Sequence, residues 1–104
     1  MKRIISDDDM MWEAEQLDDL ACRIVLWSTD QSSRTHDQMR EKFRVSSGEI
    51  AATAARLRFL DFATARDMRW SDGCFRGAGV FLTPNGMRLR QALIDLGRDK
   101  GLGL

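Results

Sequence analysis

Thr35-His36-Asp37-Gln38-Met39-Arg40-Glu41-Lys42-Phe43-Arg44-Val45-Ser46-Ser47-Gly48-Glu49-Ile50 is the stretch on which the fold turns. Two helix starts lie close together inside it. Thr35 with Gln38, and Ser46 with Glu49, have the spacing at which a hydroxyl and an amide or carboxylate satisfy each other's orphan backbone N–H groups. Only Arg44 and Val45 separate the end of the first helical pattern from the second cap. The stretch therefore predicts a helix, a tight turn and a second helix.

Within the first of these helices, about His36 to Phe43, Met39 and Phe43 have the i, i+4 spacing of a buried pair, and Arg40, Glu41 and Lys42 fall outward. The next runs from about Ser47 to Leu60. Its Ile50, Ala54 and Leu57 share a face, flanked by Thr53 and Leu60, that closes a core. Asp61 suits a left-handed C-terminal turn, although glycine would adopt it with less strain. From Phe62 to Trp70 the period changes to two, with Phe62, Thr64, Arg66 and Met68 on one side and Ala63, Ala65, Asp67 and Arg69 on the other. Ser71-Asp72-Gly73 is a turn, and Cys74 to Leu82 returns as a partner strand in which Gly77 and Gly79 permit a bulge or a close backbone approach. Arg66, Arg69, Trp70 and Arg76 then lie towards the hairpin tip. Trp70 can wedge or stack there, or fold back onto the core, and folding back is the expectation. Thr83-Pro84 opens a last helix with Thr at the cap and Pro in the first turn. Leu89, Ala92, Leu93 and Leu96 form its apolar stripe, Gly97 ends it, and the tail from Arg98 to Leu104 is expected to fray.

Upstream, Ser6 can cap a helix whose first turn holds Asp7, Asp8 and Asp9, where the helix dipole favours negative charge. Read as one helix over about 7–28, it places Met10, Ala14, Leu17, Leu20, Ala21, Ile24, Val25 and Trp27 in a single arc, with Glu15, Asp18, Asp19 and Asp30 on the wet side. Met11, Trp12, Cys22 and Leu26 fall outside that arc. They are read either as partly covered by the chain termini or as candidates for a dimer or partner contact.

The chain of 104 residues suits one domain over 1–104, without repeats or an internal linker, and is large enough to bury a modest core. No apolar run approaches the ~18 residues of a membrane span, and the N-terminus is too short for a secretory leader, so a cytoplasmic location with no membrane partner is expected. Cys22 and Cys74 form no C-x-x-C pair and one His cannot complete a usual zinc set with them. No metal and no cofactor are expected, and the thiols are read as reduced. The carboxylates are scattered over helix faces, and there is neither a nucleophile elbow nor a Gly-rich phosphate loop, so no enzyme is expected. His36 is read as a solvated surface residue. Sixteen bases balance sixteen acids, but unevenly along the chain. Residues 1–30 hold eight acids and three bases, whereas residues 34–90 hold eleven bases and six acids. An acidic helix is attached to a basic module.

The resulting order is helix, helix, helix, two-stranded hairpin, C-terminal helix: a mainly α chain with a small β-hairpin. It resembles the winged helix-turn-helix domain, and among its members the MarR and PadR types of bacterial regulator. Val45, Ser46, Ile50, Ala54, Leu57 and Phe62 stand at the positions those families use in their third helix, with Asp61 in place of the usual Gly, and Leu82-Thr83-Pro84-Asn85-Gly86 matches their L-T-P-x-G. The long extra dimerisation helices of the MarR type are missing. The resemblance implies a helix-turn-helix over about 35–60, a wing over about 62–82, a last helix over about 84–97, and a third helix set into the major groove of double-stranded DNA. Candidate DNA contacts are then Arg34, Thr35, Gln38, Ser46, Ser47, Ala51, Ala52, Ala55, Arg56, Arg66, Arg69 and Arg76. Gly48, Ala51, Ala52, Ala55, Arg56 and Phe59 point away from the expected core. That face can meet thymine methyls, or it can let another helix pack closely, since typical base readers are almost absent from it. The expectation is a small homodimeric transcriptional regulator; the alternative is a protein-interaction module of the same fold.

Overall fold

The computed structural model describes residues 2–31 and 34–102. Ser32 and Ser33 of the polar connector, and the last two residues of the tail, lie outside the described residues. Among those described, five helices and one antiparallel hairpin make a mainly α fold.

The first helix differs from expectation because it is two. Helix α1 (Asp7–Gln16) is capped by Ser6, whose Oγ accepts from Asp9 N at 3.1 Å. Leu17 is extended, and Asp18 begins again: its carboxylate accepts from Ala21 N at 3.4 Å and caps α2 (Asp19–Trp27). The carbonyls left open at the end of α1 are met from the tail, where Arg98 Nη1 donates to Ala14 O at 2.7 Å and Leu17 O at 2.6 Å. The tail is therefore not frayed at Arg98, and Leu102 packs against the core. The break also shifts the helical phase, so Cys22 and Leu26, which a continuous helix would leave at the margin, are buried.

Helix α3 (His36–Phe43) opens with the expected capping box. Arg44 takes the left-handed conformation (φ 55°) at its end, and Ser46 caps α4 (Ser47–Phe59) through Glu49 N at 3.1 Å. Met39, Ile50 and Leu57 are fully buried with Ile24, Val25, Phe62, Val80, Leu89 and Leu93, and Met10 and Ala14 of α1 join them, so all five helices and the base of the hairpin share one core. Trp27 meets Phe43 edge to face at 5.3 Å.

Strands β1 (Ala63–Arg69) and β2 (Phe75–Leu82) pair from Ala63↔Leu82 outward to Arg69↔Phe75, with a bulge between Met68 and Arg69. Gly77 has φ 141°, and a Cβ there would stand 3.3 Å from Thr35 Cγ2. The bulge and the close approach anticipated at the glycines are thus both present. Thr35 forms an isolated bridge with Gly79, which ties the start of α3 to the outer edge of β2.

Helix α5 (Pro84–Asp95) starts at Thr83, whose Oγ1 accepts from Gly86 N at 3.0 Å. Leu89, Ala92 and Leu93 are buried as expected, while Leu96 is exposed. No helix among the described residues is long and apolar enough to cross a membrane.

Candidate nucleic-acid interface

The side of α4 opposite Ile50, Thr53, Ala54 and Leu57 is bare. Ser47, Gly48, Ala51, Ala52, Ala55, Arg58 and Phe59 are all exposed, Phe59 to 86%. Ser46 is exposed too, but its hydroxyl is engaged with Glu49. Arg56 lies on this helix and pairs with Asp18 at the start of α2, so its charge is turned towards the acidic end of the chain. Arg58, which was not among the expected contacts, is the exposed guanidinium on the same ridge as Ala51 and Ala55. The i, i+4, i+7 spacing of these three residues was the available signal.

Thr35 and Gln38 are occupied within the fold. Thr35 is buried, its Oγ1 accepts from Gln38 N at 3.2 Å, and Gln38 Oε1 accepts from Thr35 N at 2.9 Å. Both are helix-capping residues here, and Thr35 has no free surface to offer. Arg34 is half-buried with its guanidinium 5.0 Å above Trp27, and Lys42 approaches the same ring at 5.9 Å. Arg40 is exposed and makes a long i, i+3 contact with Asp37. Arg44 is exposed in the turn between α3 and α4.

On the hairpin, Arg66 lies 4.0 Å over Phe81 and donates to Asp30 O at 3.4 Å. Arg69 reaches Gly73 O at 3.2 Å across the turn. Arg76 stacks on Trp70 at 4.7 Å. Trp70, one residue beyond β1, does not fold back onto the core: it is 56% exposed.

His36 also departs from expectation. It is half-buried, its Nε2 is enclosed without a hydrogen-bond partner among the described residues, and burial first, then Arg58, push its imidazole below the usual 6.5 while Asp37 opposes them. Of the four candidates for a partner contact, Cys22 and Leu26 belong instead to the core, buried where a partner cannot reach them. Met11 is half-buried, and Trp12 is 59% exposed. Burial raises the Cys22 thiol above its ordinary range, against the opposing Arg98 charge. Cys22 and Cys74 are both free. Among the described residues no group of three or more His, Cys, Asp and Glu is arranged to hold a metal ion.

No protein-family model, no curated protein and no solved structure matches this chain.

Proposed function

We propose that the chain is a winged helix-turn-helix protein that binds double-stranded DNA and regulates transcription, with α4 in the major groove and the β1–β2 hairpin as the wing. The observation that carries this reading is the joint exposure of α4's small-residue face and of a hairpin bearing three arginines. The bridge from Thr35 to Gly79 supports it by fixing the hairpin against the helix pair, so that both reach one ligand as a unit. Charge supports it as well. Arg40, Lys42, Arg44, Arg58, Arg66 and Arg69 are exposed on α3, the turn, α4 and the hairpin, whereas the acids of the first thirty residues cluster on α1 and α2. Cations on these elements position phosphates, and a small-residue helix admits the edges of bases and thymine methyls. A domain of this size gains specificity as a homodimer on two half-sites, and a cytoplasmic location follows from the role.

A second reading, a protein-binding module of the same fold, is favoured by Phe59 and by the lack of Asn, Gln or clustered Arg on the outward face of α4. Salt separates the two. Binding to random duplex should weaken linearly in log salt, and Arg66→Ala or Arg69→Ala should each reduce the slope by about one unit. Absence of duplex binding at low salt would leave only the protein-binding reading.

A further inference from the structure

The outer half of the hairpin carries its two largest side chains into solvent, Trp70 at 56% and Phe75 at 59% exposure. An indole left this open forgoes the burial that the core gives other aromatics of the chain. Its surroundings indicate what covers it. Arg76 lies over one face of the ring at 4.7 Å, and no other ring or cation among the described residues lies over it. The bulge between Met68 and Arg69 creates this arrangement. In an unbroken ladder Arg76 would oppose Arg69 and share its face, away from Trp70. With the extra residue, Phe75 opposes Arg69 and Arg76 turns beneath the indole.

The result is a π-face backed by the guanidinium of Arg76, with Arg69 next to it in sequence and reaching across the turn to Gly73 O. Two carboxylates accompany them, Asp67 and Asp72, and the latter accepts from Cys74 N at 2.9 Å within the turn. A ring next to cations complements a flat base next to phosphates: the base stacks on the indole while the phosphates meet the guanidiniums. An apolar pocket on a protein would match the rings but offer no counter-charge to Arg69 and Arg76.

We infer that the hairpin tip is a base-stacking site, in which Trp70, backed by Arg76, stacks on a nucleobase that is unpaired or easily unstacked. The inference rests on the DNA reading above and adds to it a preference for DNA whose bases can be reached.

The test is a titration of the wild-type protein with three DNAs of one sequence: intact duplex, the same duplex with a central unpaired bubble, and the single strand. Affinity and tryptophan emission are followed together, with heparin as a polyanion that has no bases. The bubble should bind about 5- to 150-fold more tightly than intact duplex, as one stacked base provides. Emission should fall with the bubble and not with heparin. Trp70→Ala should abolish both effects, and Trp70→Phe should retain part of the preference. Equal affinity for intact duplex and bubble, or a preference that survives Trp70→Ala, overturns the stacking site and leaves duplex binding standing. Failure to bind any of the three DNAs overturns the DNA reading itself.

Discussion

Asp61 holds a left-handed backbone angle, φ 63°, that glycine would adopt with less strain, and its side chain explains why it is not glycine. Its Oδ2 accepts from Arg3 N at 2.9 Å and from Asn85 Nδ2 at 3.0 Å, and Asn85 also donates to Arg3 O at 2.8 Å. One carboxylate thus fastens the N-terminal strap to the start of α5. Asp61→Gly relaxes the backbone by up to ~1 kcal/mol but removes two bonds to a charged acceptor, worth ~1.5–3 kcal/mol each. The melting temperature should therefore fall, by about 4–8 °C per kcal/mol lost, and Asp61→Asn should lose less. A rise in Asp61→Gly would show that backbone strain outweighs the clamp. At His36 the sign follows from its depressed imidazole. The unfolded chain takes up the proton near the usual 6.5 while the folded chain still resists it, so stability is full above that pH and declines below it until the folded state protonates too. Urea midpoints measured from about pH 7.5 to about pH 5.5 should fall in the wild type and flatten in His36→Gln. Equal slopes in the two proteins would place the titrating group elsewhere.

At the scale of the element, starts were more legible than ends. Ser6, Thr35, Ser46 and Thr83 each cap the helix they were expected to cap, because a cap is a local bond between residues three apart. The break at Leu17 had one local signal that the reading as a single helix passed over, Asp18 capping α2 through Ala21 N, and one that was not legible: Arg98, more than eighty residues away in sequence, supplies the donors that let α1 stop there. Gly86 shows how two elements set one residue. A Cβ on it would lie 1.9 Å from Phe62 O and 3.1 Å from Leu82 Cβ, so α5 can reach the hairpin base only without a side chain there. Gly86→Ala should lower stability by about 3 kcal/mol or prevent folding, compared with ~1 kcal/mol for removing the neighbouring cap in Thr83→Ala. Chemical denaturation of both variants decides it; a Gly86→Ala protein as stable as Thr83→Ala would mean that α5 can shift away.

Over the whole molecule, charge divides along the chain. The sequence predicted the division of charge, since counting acids and bases needs no coordinates. It could not predict which cations remain available: Arg3, Arg56, Arg88 and Arg98 are each paired with an acid of the first two helices. Phe59, at the far end of α4's bare face, makes the two functional readings diverge. Phe59→Arg adds a cation beside Arg58. If α4 faces DNA, it should tighten duplex binding and raise the salt slope by about one unit. If that face receives a protein, it should abolish the association by placing a charge at an apolar contact. Duplex affinity at two salt concentrations and the solution mass of both proteins distinguish the outcomes.

By itself the sequence determined the helix-turn-helix spacing, the hairpin with its bulge-permitting glycines, the Thr-Pro start of the last helix and the uneven charge. All of these depend on residues a few positions apart, or on composition. Tertiary structure alone decided that α1 can stop at Leu17, that Cys22 and Leu26 belong to the core, that Thr35 is covered by the hairpin and Arg56 pairs with Asp18, and that Trp70 stands in solvent. Each of those outcomes depends on a partner distant in the chain, or on the absence of one. A long-range hydrogen bond, an ion pair between helices or an uncovered ring leaves no period in the sequence from which it could be read.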